Sequence, residues 1–198
     1  YDLIANSKIN EVINTTLNDK AVIHSYNAII LDGTDKSEMV GHGFHRDMPW
    51  FPSCRTSIIV MIPLVDYGPA NGSTKYVPGT HGYKDMPSLS FMENHEVSAQ
   101  GKAGEAFVVD STTWHRAGEN TSGKARPMIV LKFTLAPFKQ QVEFYLSNPE
   151  IENADPVVQQ RLGWNVRVPH NYIEGRDWNQ ETRKFKSGQY DMTNTYLK

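Results

Sequence analysis

The sequence predicts a mainly β protein, a sandwich or barrel with a few flanking helices. Three observations carry this. Short runs rich in β-formers recur between residues 21 and 135, Gly, Pro and Asn turns separate them, and helical periodicity falls near the two ends. The 198 residues suffice for one full core and not obviously for two. A single domain over 1–198 is therefore expected, with a core at about 21–135 and a C-terminal extension at 136–198. No internal repeat or low-complexity tract is visible.

Residues 2–18 read as an amphipathic helix, since Ile9, Val12, Ile13 and Leu17 recur at helical spacing. Ala21 to Leu31 reads as a strand that ends at the Asp32-Gly33 turn signal. Thr56 to Val65 is apolar nearly throughout, as in a strand buried on both faces. Tyr76-Val77 is a short strand between Asn71-Gly72 and Pro78-Gly79, both turn formers. Further strands are expected at Glu96 to Ala99, Glu105 to Asp110, Trp114-His115 and Pro127 to Leu135. Asp155 supplies an N-cap, Pro156 a first helical position and Gly163 a stop for a short helix. Trp164 to Lys198 is polar, aromatic and irregular, a tail suited to wrap the core or join a subunit contact.

The formal net charge of -2 argues against a broad electrostatic grip on nucleic acid. No apolar run reaches the length that crosses a bilayer, and no signal peptide is visible. Cys54 is the only cysteine, so no internal disulfide forms. A cytoplasmic protein with a small-molecule substrate is expected; oligomeric state is open. The chain opens on Tyr1 rather than Met and so reads as a partial or trimmed chain.

The residues with chemistry are His45-Arg46-Asp47, His115 and Arg126. Side chains two apart on an extended strand project to one side. His45 and Asp47 can thus offer a nitrogen and an oxygen to one ion, with Arg46 pointing away. Two histidines and one carboxylate can occupy one face of a metal and leave the others open, the facial triad of non-haem Fe(II) oxygenases. Alone, His-x-Asp arises readily by chance. His42 offers a competing partner for His45, although Gly41 and Gly43 disfavour the helix that their spacing needs. His115 precedes Arg126 by 126 − 115 = 11 residues, and Gly118 to Gly123 between them reads as a hairpin connection. A hairpin would set His115 and Arg126 side by side. The bland reading of Arg126 is a surface or salt-bridge arginine.

With these residues in order, the chain resembles the phytanoyl-CoA dioxygenase family of Fe(II)/2-oxoglutarate-dependent oxygenases. The resemblance lies in Gly43 to Asp47, in Asn71 to His81, and in Trp114 to Asn120 with Arg126. In the middle segment Thr80 replaces the family's usual serine. Val157 to Trp164 is similar to the family's short helix after the core, and the N-terminal part looks truncated. The resemblance implies a double-stranded β-helix, a cupin-like jelly roll of two facing sheets. By motif position it assigns His45, Asp47 and His115 to iron and Arg126 to the distal carboxylate of 2-oxoglutarate. Thr56 or Ser57 is expected to add a hydroxyl beside that co-substrate. O2 is the oxidant, succinate and CO2 the co-products, and ascorbate the expected activator in vitro. Halogenating relatives replace the carboxylate ligand; Asp47 is retained, which favours hydroxylation.

The substrate is poorly defined by sequence. Met48, Trp50 and Phe51 can form an apolar wall or simply pack. Arg46, Arg55, Lys75 and Arg116 can attract an anionic substrate or simply be solvated. His24, His81, His95 and His170 read as structural or surface histidines, with His81 shaping the Pro78-Gly79 turn. The alternatives are a non-redox cupin-like metal protein, an isomerase or small-ligand binder, and a catalytically silent relative. The first would not need Arg126 at a fixed distance after His115, and the intact set of His45, Asp47, His115 and Arg126 weighs against the second.

Overall fold

The computed structural model describes residues 1–33, 43–168, 178–179 and 184–185. His42 and His170 lie outside these residues. Along the chain come α1 (Asp2–Ala5), α2 (Ser7–Thr16), β1 (Val22–Leu31), β2 (Ser57–Pro63) and β3 (Lys75–Tyr76). Then follow α3 (Leu89–His95), β4 (Val97–Ser98), β5 (Phe107–Asp110), β6 (His115–Arg116), β7 (Arg126–Thr134) and α4 (Pro156–Arg161). Two short strands, β8 (Trp178–Asn179) and β9 (Lys184–Phe185), pair with each other. The chain divides into two compact units, 1–23 with 135–198, and 24–134.

In the first unit the expected N-terminal helix is broken at Asn6. Its side chain accepts from the Ile9 amide and so caps α2. The buried Asn10 donates to the carbonyls of Ile4 and Asn6 across that break. Helix α4 starts as its residues predict: the Asp155 carboxylate accepts from the Val157 amide, Pro156 follows, and Gly163 closes the turn at φ 89°. The buried Arg161 ties this unit together. It donates to Asn10 and Asn14 side chains on α2 and to the Ala21 carbonyl.

The second unit carries two sheets. The larger has the order β1-β7-β2-β5 and the smaller β4-β3-β6. Strand β2 pairs antiparallel with β7, from Ser57 opposite Thr134 to Pro63 opposite Met128, and with β5, Ile59 opposite Val109. All seven β2 residues are buried, as its unbroken apolar run requires. Ile59, Met61, Tyr67, Ala99 and Met128 form a buried cluster with Tyr76, Phe107, Val109 and Val130 packed on it. Tyr76 belongs to the smaller sheet and Ile59, Met61, Phe107, Val109, Met128 and Val130 to the larger, so this core lies between the two. The two antiparallel sheets are of the jelly-roll kind. Among the described residues no ladder closes them into the expected barrel, and the helices make the fold mixed α/β. Among the described residues no helix is long and apolar enough to cross a membrane.

Two expectations need correction. Helix α3 escaped the sequence reading, although Ser88 caps it by accepting from the Phe91 amide. The segment between His115 and Arg126 is not a hairpin, because β6 and β7 belong to different sheets. It crosses between them and is held by Asn120, which bridges to Asn71 and donates to the Leu31 and Lys124 carbonyls. Gly72 stands at φ 74°, and an added Cβ there would collide with the Gly118 carbonyl and Leu31.

Candidate metal centre

His45, Asp47 and His115 meet where the two sheets approach. His45 and His115 exchange backbone hydrogen bonds of 2.9 and 3.1 Å, which fastens the His45 segment to β6. The Asp47 amide donates to the Ser111 carbonyl at 2.9 Å, and the Ser111 amide donates to Ser57, at the head of β2. One ligand segment is therefore held by both sheets at once.

The side chains converge. Asp47 Oδ1 lies 3.7 Å from His45 Nε2 and 3.9 Å from His115 Nε2. One ligand atom from each residue falls within 4.8 Å of the others. His45 Nδ1 bonds to the Gly43 carbonyl and His115 Nδ1 to the Thr113 carbonyl, each at 2.9 Å. A carbonyl only accepts, so each Nδ1 carries a proton and each Nε2 of the neutral ring presents a lone pair. Burial pushes His115 below the usual histidine range; its bond to Thr113 and the charge of Asp47 oppose the shift, and His45 and Lys132 add to it. Neutral imidazoles are what a metal needs. Two nitrogens and one carboxylate oxygen are a donor set that suits Fe(II).

Arg126 is only 4% exposed. Its guanidinium lies over the Tyr67 ring at 5.1 Å, one Nη donates to Met128 Sδ, and its buried Nε has no partner. Among the described residues no carboxylate pairs with it. Burial presses its pKa down, but a guanidinium stays charged. Tyr67 in turn shares a 2.8 Å hydrogen bond with Thr74. Thr74 lies two residues from Tyr76, which pairs with His115.

Thr56 and Ser57 stand elsewhere. Ser57 pairs with Thr134, eight residues along β7 from Arg126. The Ser57 hydroxyl is occupied by Ser111 and the Phe133 carbonyl, whereas Thr56 Oγ1 is buried without a partner. By this register the two hydroxyls stand at the other end of β7 from the guanidinium, which lies over the Tyr67 ring instead.

Arg46 points away from the triad, as expected. It stacks on Trp114 at 4.7 Å and donates to the carbonyls of Thr80, Tyr83 and Lys84. Arg55 pairs with Asp110 at 2.8 Å, and Lys75 and Arg116 share Glu96 at 2.7 Å each. All four cations proposed to attract an anion are thus engaged. Trp50 and Phe51 line a cleft of about 370 Å³ with Arg55 and His81, while Met48 is buried. Thr80, not the exposed His81, shapes the turn at Gly79: its hydroxyl donates to the Val77 carbonyl and accepts from the Trp114 amide. A hydroxyl is what the family's serine would also offer at this position. His95 is a surface histidine stacked on Phe91, and Cys54 is exposed.

One residue near the triad, Lys132, escaped the sequence reading, and His24, read there as a structural or surface histidine, also lies near it. Lys132 Nζ lies 3.8 Å from Asp47 Oδ2 and 3.4 Å from the Asp47 carbonyl oxygen. Burial also lowers the His24 pKa, with Lys132 adding to the shift and Asp47 opposing it. A signal for Lys132 existed: Arg126, Met128, Val130 and Lys132 share one face of a strand by alternation.

Residues 7–128 match the family model described as Phytanoyl-CoA dioxygenase (PhyH). The chain belongs to the phytanoyl-CoA dioxygenase family. An uncharacterized protein of Mycobacterium tuberculosis is 33% identical over 169 residues, which span 82% of this chain and 62% of that protein. An iron/alpha-ketoglutarate-dependent dioxygenase of Aspergillus calidoustus, ausO, is 25% identical over 140 residues, 64% of this chain and 47% of its own. This family member thus spans less than two thirds of the length of these relatives. Among solved structures, the non-heme monooxygenase ThoJ superposes with a TM-score of 0.60 at 18% identity, covering 72% of this chain and 57% of that one. The non-heme alpha ketoglutarate dependent epimerase SnoN gives 0.56 at 19% identity, over 68% and 55%. At such identities these two structures speak for the fold alone.

Proposed function

We propose that this protein is an Fe(II)- and 2-oxoglutarate-dependent dioxygenase that hydroxylates an aliphatic C–H bond of a small organic substrate. The observation that carries the reading is the presence in one unit of the His45, Asp47 and His115 donor set and of Arg126, a buried cation with no carboxylate partner among the described residues. A buried charge without a partner is costly, so this guanidinium calls for a carboxylate. Its planar fork suits the distal carboxylate of 2-oxoglutarate.

His45 and His115 would hold iron through Nε2 and Asp47 through Oδ1. Iron(II) with 2-oxoglutarate supplies the two-electron oxidation of a C–H bond by O2, with release of succinate and CO2. The protein's own contribution is to place these groups. The Gly43 and Thr113 carbonyls hold both ring tautomers, and Arg126 fixes the far end of the co-substrate.

The test is anaerobic Fe(II) binding followed by succinate formation from 2-oxoglutarate under O2, with ascorbate present. Wild-type protein is expected to bind one iron and release succinate. Asp47→Ala is expected to lose iron affinity by about 100-fold or more and all measurable turnover. Unchanged turnover in Asp47→Ala would remove the proposal.

A further inference from the structure

The charge around the triad exceeds what the proposed co-substrate can neutralise. A divalent ion, the Asp47 carboxylate, the Arg126 guanidinium and doubly charged 2-oxoglutarate balance to zero, with both histidines neutral. Lys132 then stands as one uncompensated positive charge.

Lys132 is well placed for this to matter. Its side chain is 13% exposed. Among the described residues its carboxylate partner is Asp47, through Oδ2 at 3.8 Å. Asp47 presents the other oxygen, Oδ1, to both Nε2 atoms. A cation held by Oδ1 draws on the same carboxylate charge that balances Lys132, so metal loading weakens that pairing. The cations Arg46, Arg55, Lys75 and Arg116 have partners of their own. Arg126 is six residues away on the same face of β7, about 20 Å along the strand, and serves the far end of the co-substrate. On the sheet itself Lys132 is flanked by apolar residues: Ile59 lies opposite in register, and Val130 is next on the same face. His24, whose buried Nδ1 has no partner, lies close enough for its titration to feel both Lys132 and Asp47.

We propose that Lys132 binds an anionic group of the substrate once the metal is in place, and that the substrate is an organic acid with an apolar body. This rests on the dioxygenase reading above. The shared chemistry is a carboxylate, and the metal-proximal carboxylate of 2-oxoglutarate is the competing source.

The experiment uses the full chain loaded with redox-inert Ni(II), with binding measured by calorimetry. The probes are 2-oxoglutarate, pyruvate, and a series of alkanoates of about four to eight carbons with their matching amides. The Ni(II) and 2-oxoglutarate complex is expected to bind alkanoates and not the amides. Lys132→Gln is expected to weaken alkanoate binding about tenfold or more, the loss of one charged hydrogen bond. Its affinities for Ni(II) and 2-oxoglutarate should stay within a few-fold, which also shows that the variant is folded. Lys132→Arg should retain the alkanoate preference. Equal loss of 2-oxoglutarate and pyruvate in Lys132→Gln would overturn the proposal and assign Lys132 to the co-substrate. Amides binding as well as alkanoates, or alkanoate affinity unchanged in Lys132→Gln, would overturn it outright. If the wild-type Ni(II) protein binds no 2-oxoglutarate, the failure belongs to the dioxygenase reading instead.

Discussion

Each metal-facing imidazole is set by one backbone carbonyl, and for His115 this has a consequence for pH. In an unfolded chain its pKa would be near 6.5, whereas burial holds it lower in the folded protein. Between the two values the unfolded state binds the extra proton. Stability therefore falls as pH drops through that window and is fully present above 6.5. His24, lowered by the same cause, works in the same direction. The metal-free protein is expected to melt at a lower temperature at about pH 5.5 than at about pH 7.5. His115→Asn should shrink that difference, because one of the titrating groups is gone. A pH dependence identical to wild type in this variant would rule the imidazole out as a source. The triad itself was legible because two ligands sit two residues apart and the third heads a strand. Lys132 was read as part of an apolar strand, although alternation from Arg126 would have turned it inward.

At the scale of elements, the strand runs were legible wherever their side chains repeat a burial pattern. Strand β2 is one example, apolar in sequence and buried at every position. What sequence missed is which sheet each strand joins. Strands β6 and β7 flank a Gly-rich connection that reads as a hairpin, but Asn120 and the glycines near Gly72 carry the chain to the opposite sheet. That choice depends on contacts about 50 residues apart in the chain, such as Asn71 with Asn120, which no local pattern records. Helix α4 shows the same limit. Its caps were legible, yet the role of Arg161 was not, because its partners Asn10, Asn14 and Ala21 lie far back in sequence. Arg161 is 2% exposed. Removing it strips the Ala21 carbonyl and the buried Asn10 of charged donors, so Arg161→Ala is expected to cost about 3 kcal/mol or more. Urea unfolding should show a lower midpoint with the slope unchanged. A midpoint within error of wild type would mean that water replaces those bonds fully.

For the whole molecule, the site residues all fall in the unit 24–134, so binding there draws on the stability of that unit. Ligands that bind only the folded chain raise its stability by mass action, roughly 2.7 kcal/mol at a free concentration 100 times the dissociation constant. For a chain of this size each kcal/mol moves the melting temperature by about 2–4 °C. Ni(II) alone at that saturation should therefore raise the melting temperature by roughly 5–10 °C, and 2-oxoglutarate should add a second increment only when metal is present. Arg126 sits at the far end of β7 from Asp47 and touches none of the three ligands in the hydrogen-bond pattern. Arg126→Ala should accordingly keep the Ni(II) increment and lose most of the 2-oxoglutarate increment. Asp47→Ala should lose both, since chelation of the keto acid needs the metal. Loss of both increments in Arg126→Ala would make this buried guanidinium a structural group rather than the anchor of the co-substrate.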